Sequence, residues 1–179
     1  AHSESPSVIS ALLSGALLNC AFLAILRSYQ VCAAAGQAAF CQDLLILFGL
    51  ISIGWATIFI LGQTDYKRML AYSSVEHVGI LALGVGIGAG ATFGAMLHAA
   101  NHSLTKAMWF MVAGNILAAY KTKATTEVRR ILSVLPWSVV VWSAGLIAIT
   151  GMPPLGAFRS EFTFDKAPSE RGRMGLAVT

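Results

Sequence analysis

Residues 97–111, LHAANHSLTKAMWFM, carry three proton-exchanging side chains, His98, His102 and Lys106, at every fourth position of an otherwise apolar segment. At about 100° and 1.5 Å per residue, the three share one helix face and ladder over roughly 12 Å. A charge near the centre of a bilayer costs about 2.5 to 3.5 kcal/mol on insertion scales, so such a residue faces the bundle interior or water. Asn101 and Thr105 fall on the same face, while Leu97, Leu104, Met108 and Phe110 point elsewhere. The spacing therefore predicts a helix whose wet side is turned toward its neighbours. Interhelical hydrogen bonding by ordinary polar residues is the alternative use of such a face.

The composition agrees. The 179 residues are 56% hydrophobic and 11% charged, with a mean hydropathy of +0.72, whereas soluble domains carry about 25% charged residues. Four runs without charge, Ser5 to Leu26, Leu44 to Thr64, Val78 to Leu97 and Ile131 to Phe158, are each long enough to cross about 30 Å of hydrocarbon as helix. Backbone groups in lipid must pair within the protein, and the ~10-residue alternation of a membrane barrel is absent. The fold class is all-α integral membrane, with five spans expected at about 7–28, 43–63, 67–88, 91–119 and from about 133.

The connection SYQVCAAAGQAAFCQD, residues 28–43, reads as a loop, and Tyr29, Tyr66 and Tyr120 fall at span ends. The second-to-third connection holds Lys67 and Arg68, and the fourth-to-fifth holds Lys121, Lys123, Arg129 and Arg130. Alternation puts these two on one side, and their basic excess over Arg27 in the opposite connection predicts that side to be cytoplasmic. Lys166, Arg171 and Arg173 reduce the contrast. The net charge of +4 and pI near 9.2 thus belong to topology, not to nucleic-acid binding. The chain starts at Ala1 without a signal-peptide pattern and stops inside an apolar stretch, so a longer protein is expected.

Gly151-Met152-Pro153-Pro154-Leu155-Gly156 should break the fifth helix, because two prolines remove donors and clash with the preceding turn. Unpaired backbone at membrane depth is tolerated only inside protein or against a wet cavity. Glu161 follows the break closely, beside Arg159; the alternative places both at the membrane surface. In the third span Arg68, Tyr72 and Glu76 share a face, with His77 next in sequence, and an ion pair from Arg68 to Glu76 is the structural alternative.

Other motifs point nowhere catalytic. A zinc reading of His98 and His102 lacks the glutamate of HExxH and a third ligand. Gly84, Gly86, Gly88 and Gly90 do not follow a strand and lack the GxGxxG order, so they read as close helix packing and a turn. Cys20 reads as a small apolar residue within a span. A disulfide between Cys32 and Cys41 would require the oxidising side of the membrane.

TDYKRMLAYSSVEHVGI, LHAANHSLTKAMWFMVAGNI and ITGMPPLGAFRSEF resemble, in order and spacing, the antiporter-like subunits of respiratory complex I, membrane-bound hydrogenases and multisubunit cation/proton antiporters. AHSESPSVISALLSGALLN resembles the stretch after that superfamily's first broken helix, although Val8 replaces its usual proline and Arg159 is unusual. The SSVEH and SEF forms are most similar to the hydrogenase-4 component F branch. The resemblance implies two inverted five-helix repeats, of which residues 1–179 would be one transmembrane domain holding the last helix of the first repeat and most of the second.

It further implies proton translocation within a redox-driven complex of the hydrogenase-4, formate hydrogenlyase or NADH-quinone oxidoreductase type. Lys106 would be the central lysine, His98 and His102 its link to the first half-channel, and Glu161 the terminal carboxylate, with Glu76 and His77 as further relay candidates. A cation/proton antiporter subunit and a truncated structural subunit are the rival readings. No cofactor and no catalytic redox centre is expected in this chain; iron–sulfur, nickel–iron or flavin centres and quinone would belong to partner subunits. The partners implied are those membrane subunits, the lipid bilayer, and protons or Na+, in a bacterial or archaeal plasma membrane.

Overall fold

The computed structural model describes residues 4–88 and 90–149. Within them the chain forms α1 (Ser7–Ala34), α2 (Ala38–Leu61), α3 (Tyr66–Ile87), α4 (Gly90–Tyr120), α5 (Ile131–Val134) and α6 (Pro136–Ile149), plus one 3-10 turn at Thr125–Glu127. By length and composition, α1, α2 and α3 are each able to cross a membrane. At 31 residues α4 is longer than any of them, about 46 Å at 1.5 Å per residue. The expected break at Pro153 and Pro154, and Glu161 beyond it, lie outside the described residues.

The expected loop at residues 28–43 is almost all helix. α1 runs on to Ala34, and α2 begins at Ala38, leaving a turn at Ala35, Gly36 and Gln37. Alanine is the strongest helix former, and the segment is rich in it, whereas its scattered polar residues suggested a loop. Gly36 ends α1 at φ 80°, the left-handed conformation that glycine adopts at no steric cost. Tyr29 consequently lies within α1, where its hydroxyl accepts from Gln42 Nε2 at 3.0 Å. Cys32 and Cys41 face each other across this hairpin as free thiols, and Cys20 is exposed on the outer side of α1.

The start of α3 also moves. Asp65 caps the helix by accepting from the backbone N–H groups of Lys67 (2.9 Å) and Arg68 (3.1 Å), so both belong to the first turn rather than to the connection. The two basic connections meet at one end of the bundle: Thr125 N donates to Thr64 O at 2.9 Å and Tyr66 N to Lys123 O at 3.2 Å. Tyr66 is buried there, with its hydroxyl 3.2 Å from Thr122 O, not set in the lipid interface. Outside the spans, the hydrogen bond and charge of Lys123 hold Glu4 below the usual carboxylate range.

Glycine sets how closely α2 and α3 approach. A Cβ on Gly79 would lie 2.8 Å from Gly49 O, and one on Gly49 would lie 2.9 Å from Gly79 O, so the two backbones touch. Gly86 packs the same way on Ile46 and Gln42, and Gly88 ends α3 at φ 78°, as the packing-and-turn reading of these glycines expects. α1 contains a π-helical turn at Leu13–Leu17, whose Gly15 lies against the backbone of Ser103 on α4.

Two apolar clusters hold the bundle. One gathers Tyr66, Leu70, Trp109, Phe110, Val112 and Ile116; the other gathers Phe22, Leu26, Leu81, Val85, Ala95 and Ala99. Phe110, off the polar face as expected, is therefore buried in apolar core. Leu104, on the far side of α4 from Lys106, is 74% exposed, and many apolar residues of α2 are exposed as well. This is the inside-out distribution of a bundle solvated by lipid. Along α3, Ser74 and His77, and along α4, His102, Thr105 and Lys106, occupy the interval between the two clusters.

Candidate functional site

α4 delivers His98, His102, Thr105 and Lys106 to the interior together, with His102 and Lys106 wholly inaccessible. The fourfold spacing acts as expected, one residue above another on the buried stripe. Opposite them α3 presents Ser73, Ser74 and His77. His77 Nδ1 lies 3.0 Å from His98 Nε2, so one imidazole donates and the other accepts. The His77 ring also packs on His102, with centroids 4.7 Å apart. His77 thus joins the two histidines of α4, which are a full turn apart on their own helix.

Lys106 Nζ donates to Leu70 O at 3.0 Å and to Ser73 Oγ, and it lies 5.5 Å from the centroid of the Trp109 ring. Trp109 is itself held by its Nε1, which donates to Trp142 O at 3.1 Å, and by stacking on the Trp142 ring. The lysine is therefore seated by a carbonyl, a hydroxyl and an aromatic face, with no carboxylate in contact among the described residues. Glu76 is half-buried on a neighbouring stripe and makes neither a hydrogen bond nor an ion pair among the described residues. Its carboxylate reaches Lys106 only through the field. The alternative ion pair between Arg68 and Glu76 does not form.

Neither ring nitrogen of His102 meets a hydrogen-bonding partner among the described residues, and the same holds for Asn101 Nδ2 and Asn19 Oδ1. Buried polar atoms without protein partners are the places where ordered water belongs. The three histidines are not arranged as ligands: among the described residues, no group of three or more His, Cys, Asp or Glu side chains is placed to hold a metal ion.

Several members of the site escaped the sequence reading. Ser14 Oγ on α1 pairs with Ser74 Oγ at 2.7 Å, and Asn19 Nδ2 donates to Ser103 Oγ at 2.5 Å. Ser103 Oγ in turn donates to Gly15 O at 2.8 Å. Ser10 and Ser14, four residues apart in an apolar run, were the available signal. Lys67, expected in a surface connection, is only 1% exposed and donates from Nζ to Ser5 O at 2.8 Å.

Residues 1–167 match the family described as NADH:quinone oxidoreductase/Mrp antiporter, TM. The chain is 42% identical over 166 residues to a hydrogenase-4 component F homolog of Methylacidiphilum infernorum, covering 90% of this chain and 34% of that protein. It is 31% identical over 175 residues to hydrogenase-4 component B of Escherichia coli K12, covering 90% and 26%. It is 32% identical over 162 residues to NAD(P)H-quinone oxidoreductase chain 4 of Prochlorococcus marinus MIT 9312, covering 90% and 30%. The chain therefore spans about a third or less of these relatives' length. Among solved structures, the membrane-bound sulfane sulfur reductase, an archaeal respiratory membrane complex, shares the fold at a TM-score of 0.86 and 24% identity, over 93% of this chain and 34% of that one.

Proposed function

Since the chain belongs to the NADH:quinone oxidoreductase/Mrp antiporter transmembrane family, we propose that it carries part of a proton path through a redox-driven membrane complex of the hydrogenase-4 or NADH-quinone oxidoreductase type. The observation that supports this most is the unbroken buried contact from His98 through His77 to His102, with Lys106 one turn further along α4. Histidine exchanges protons near neutral pH, and lysine can hold or release one. The unpartnered nitrogens of His102 are positioned for water to complete the step to Lys106.

On this reading the chain is one transmembrane domain, the last helix of a first inverted repeat and most of a second. Glu161 is the carboxylate at the exit, and Glu76 biases Lys106 through the field without carrying protons in line. Redox chemistry resides in partner subunits, and no cofactor binds this chain. The complex sits in a plasma membrane, with the end that gathers Lys67, Lys123 and Arg129 on the cytoplasmic side.

Lys106→Ala in the full-length subunit of the intact complex tests the proposal. Proton pumping driven by substrate oxidation in sealed vesicles should be lost while the complex still assembles. Full pumping in that variant would refute the relay. Pumping that requires Na+ in the wild type would instead favour exchange of Na+ for protons through the same core.

A further inference from the structure

The buried hydroxyls between α1 and α3 stand out against the rest of the molecule. Hydroxyls on exposed helix faces satisfy themselves within their own helix: Ser28 donates to Ala24 O at 3.0 Å and Thr57 to Ile53 O at 2.8 Å. Ser14 does otherwise. Its Oγ pairs with Ser74 Oγ of α3 at 2.7 Å, both side chains being almost wholly buried. Ser74 Oγ and Ser73 Oγ share Leu70 O as acceptor, at 3.1 and 3.0 Å, and Ser73 Oγ receives Lys106 Nζ. Toward the membrane surface, Ser10, fully buried one turn above Ser14, pairs with Ser5 Oγ at 2.6 Å. Ser5 lies beside Glu4, which holds Lys123 at 2.8 Å, and gives its carbonyl to Lys67.

We infer that Ser5, Ser10, Ser14, Ser74 and Ser73 form a hydroxyl arm connecting Lys106 to the face of the membrane where Glu4, Lys67 and Lys123 meet. The inference rests on the relay proposed for Lys106 and assigns that relay an opening. A serine hydroxyl both donates and accepts, so a proton arriving on one lone pair is matched by departure of the hydroxyl's own proton. Each serine is left as it began: one proton enters at one end of the arm, and one leaves at the other. Two joins are not direct. Ser10 and Ser14 stand about 6 Å apart along the axis, and Ser74 and Ser73 meet only at Leu70 O, which accepts but has no proton to pass on. One water at each join completes the chain. Lys67, buried at the mouth, is the group there that can hold a proton, and Glu4 is the exposed carboxylate that collects one.

A purely structural role for these serines is interhelical adhesion, which a hydroxyl-free side chain of similar size would share. The test uses the full-length subunit in its complex, in sealed vesicles. Ser14→Ala with Ser74→Ala should slow proton pumping about tenfold with the complex assembled, and should raise the solvent deuterium isotope effect. Ser14→Thr, which keeps a hydroxyl, should restore most of the rate. Ser14→Cys, nearly isosteric but a poor hydrogen-bonding bridge, decides the matter if the double variant fails to assemble: it should pump as slowly as the alanine variant.

Wild-type pumping in either the double-alanine or the cysteine variant would overturn the arm. If Lys106→Ala abolishes pumping while the serine variants pump normally, the arm alone fails. If Lys106→Ala pumps normally, the relay beneath it fails as well.

Discussion

His77 Nδ1 stands 3.0 Å from His98 Nε2, and this imidazole pair ties α3 to α4 in the buried interior of the bundle. The proton shared between the rings is held by one nitrogen at a time. Its transfer therefore requires a matching change of tautomer in the partner. On the proposed path the pair is the switching point, and His77, which also touches His102, is its hub.

His77→Gln keeps a hydrogen-bonding side chain of similar size but removes the titratable ring. Pumping should fall about a hundredfold, the lower end of what positioned acid–base groups contribute. Quantifying the assembled complex on native gels alongside proton uptake separates this from misfolding, and unaltered pumping would remove His77 from the path.

Lys106→Arg separates charge from exchange. The guanidinium remains protonated in proteins, so it keeps the positive field but cannot hand a proton on. Pumping should be lost as fully as in Lys106→Ala, even where the retained positive charge holds the complex together better. A rate near wild type would mean that Lys106 acts only as a fixed charge.

Gly79→Ala places a methyl 2.8 Å from the carbonyl of Gly49 and from Ile53 Cγ1. Such overpacking costs about 1 to 3 kcal/mol, and Gly79→Leu should cost more. Thermal unfolding of the detergent-purified subunit checks it. Gly54→Ala, with open space around the new methyl, is the control and should be close to neutral.

The Glu4–Lys123 pair carries a pH signature with a definite sign. Because the folded carboxyl titrates below its ordinary 4.5, its contribution is complete above that value and disappears as pH falls through the folded value. Glu4 is exposed, so the effect is slight and salt-sensitive. Glu4→Gln should lower thermal stability a little near neutrality in dilute buffer. The difference should shrink in high salt and as the pH is taken down through the folded value.

Much of this arrangement can be read in one dimension because its determinants are local. Gly88 at the end of α3 and the fourfold recurrence from His98 to Lys106 are short-range patterns. Asp65, two and three residues before the N–H groups it caps, was an equally local signal that placing Lys67 and Arg68 in the connection passed over. The turn at Gly36 was hidden by polar residues that are ordinary helix surface. Ser14 and Ser74 are 60 positions apart, and Lys67 and Ser5 are 62 apart. Such pairings depend on how helices stack, which a composition-based reading of single spans does not specify. Glu76 illustrates the reverse: its spacing from Arg68 allowed an ion pair, but each side chain turns to a different environment. What lies at Glu161 stands outside the described residues.

The π turn at Leu13–Leu17 has one more implication, for rotational phase. In a regular helix each four-residue step overshoots a full turn by about 40°, so a stripe running through positions 10, 14, 22 and 26 would wind well around the cylinder. The wide turn absorbs one residue's worth of that rotation. Ser10 above it and Ser14 within it can then face inward while Phe22 and Leu26 still face inward below it. Removing a single residue from this segment would make α1 regular and leave its lower half in phase, with Asn19 still on Ser103, whereas removing one elsewhere in α1 above Asn19 would swing that half by about 100°. An irregularity in hydrogen bonding is therefore what keeps this helix in phase with its neighbours, so that the segment carries one residue more than a regular helix with the same inward-facing positions would need.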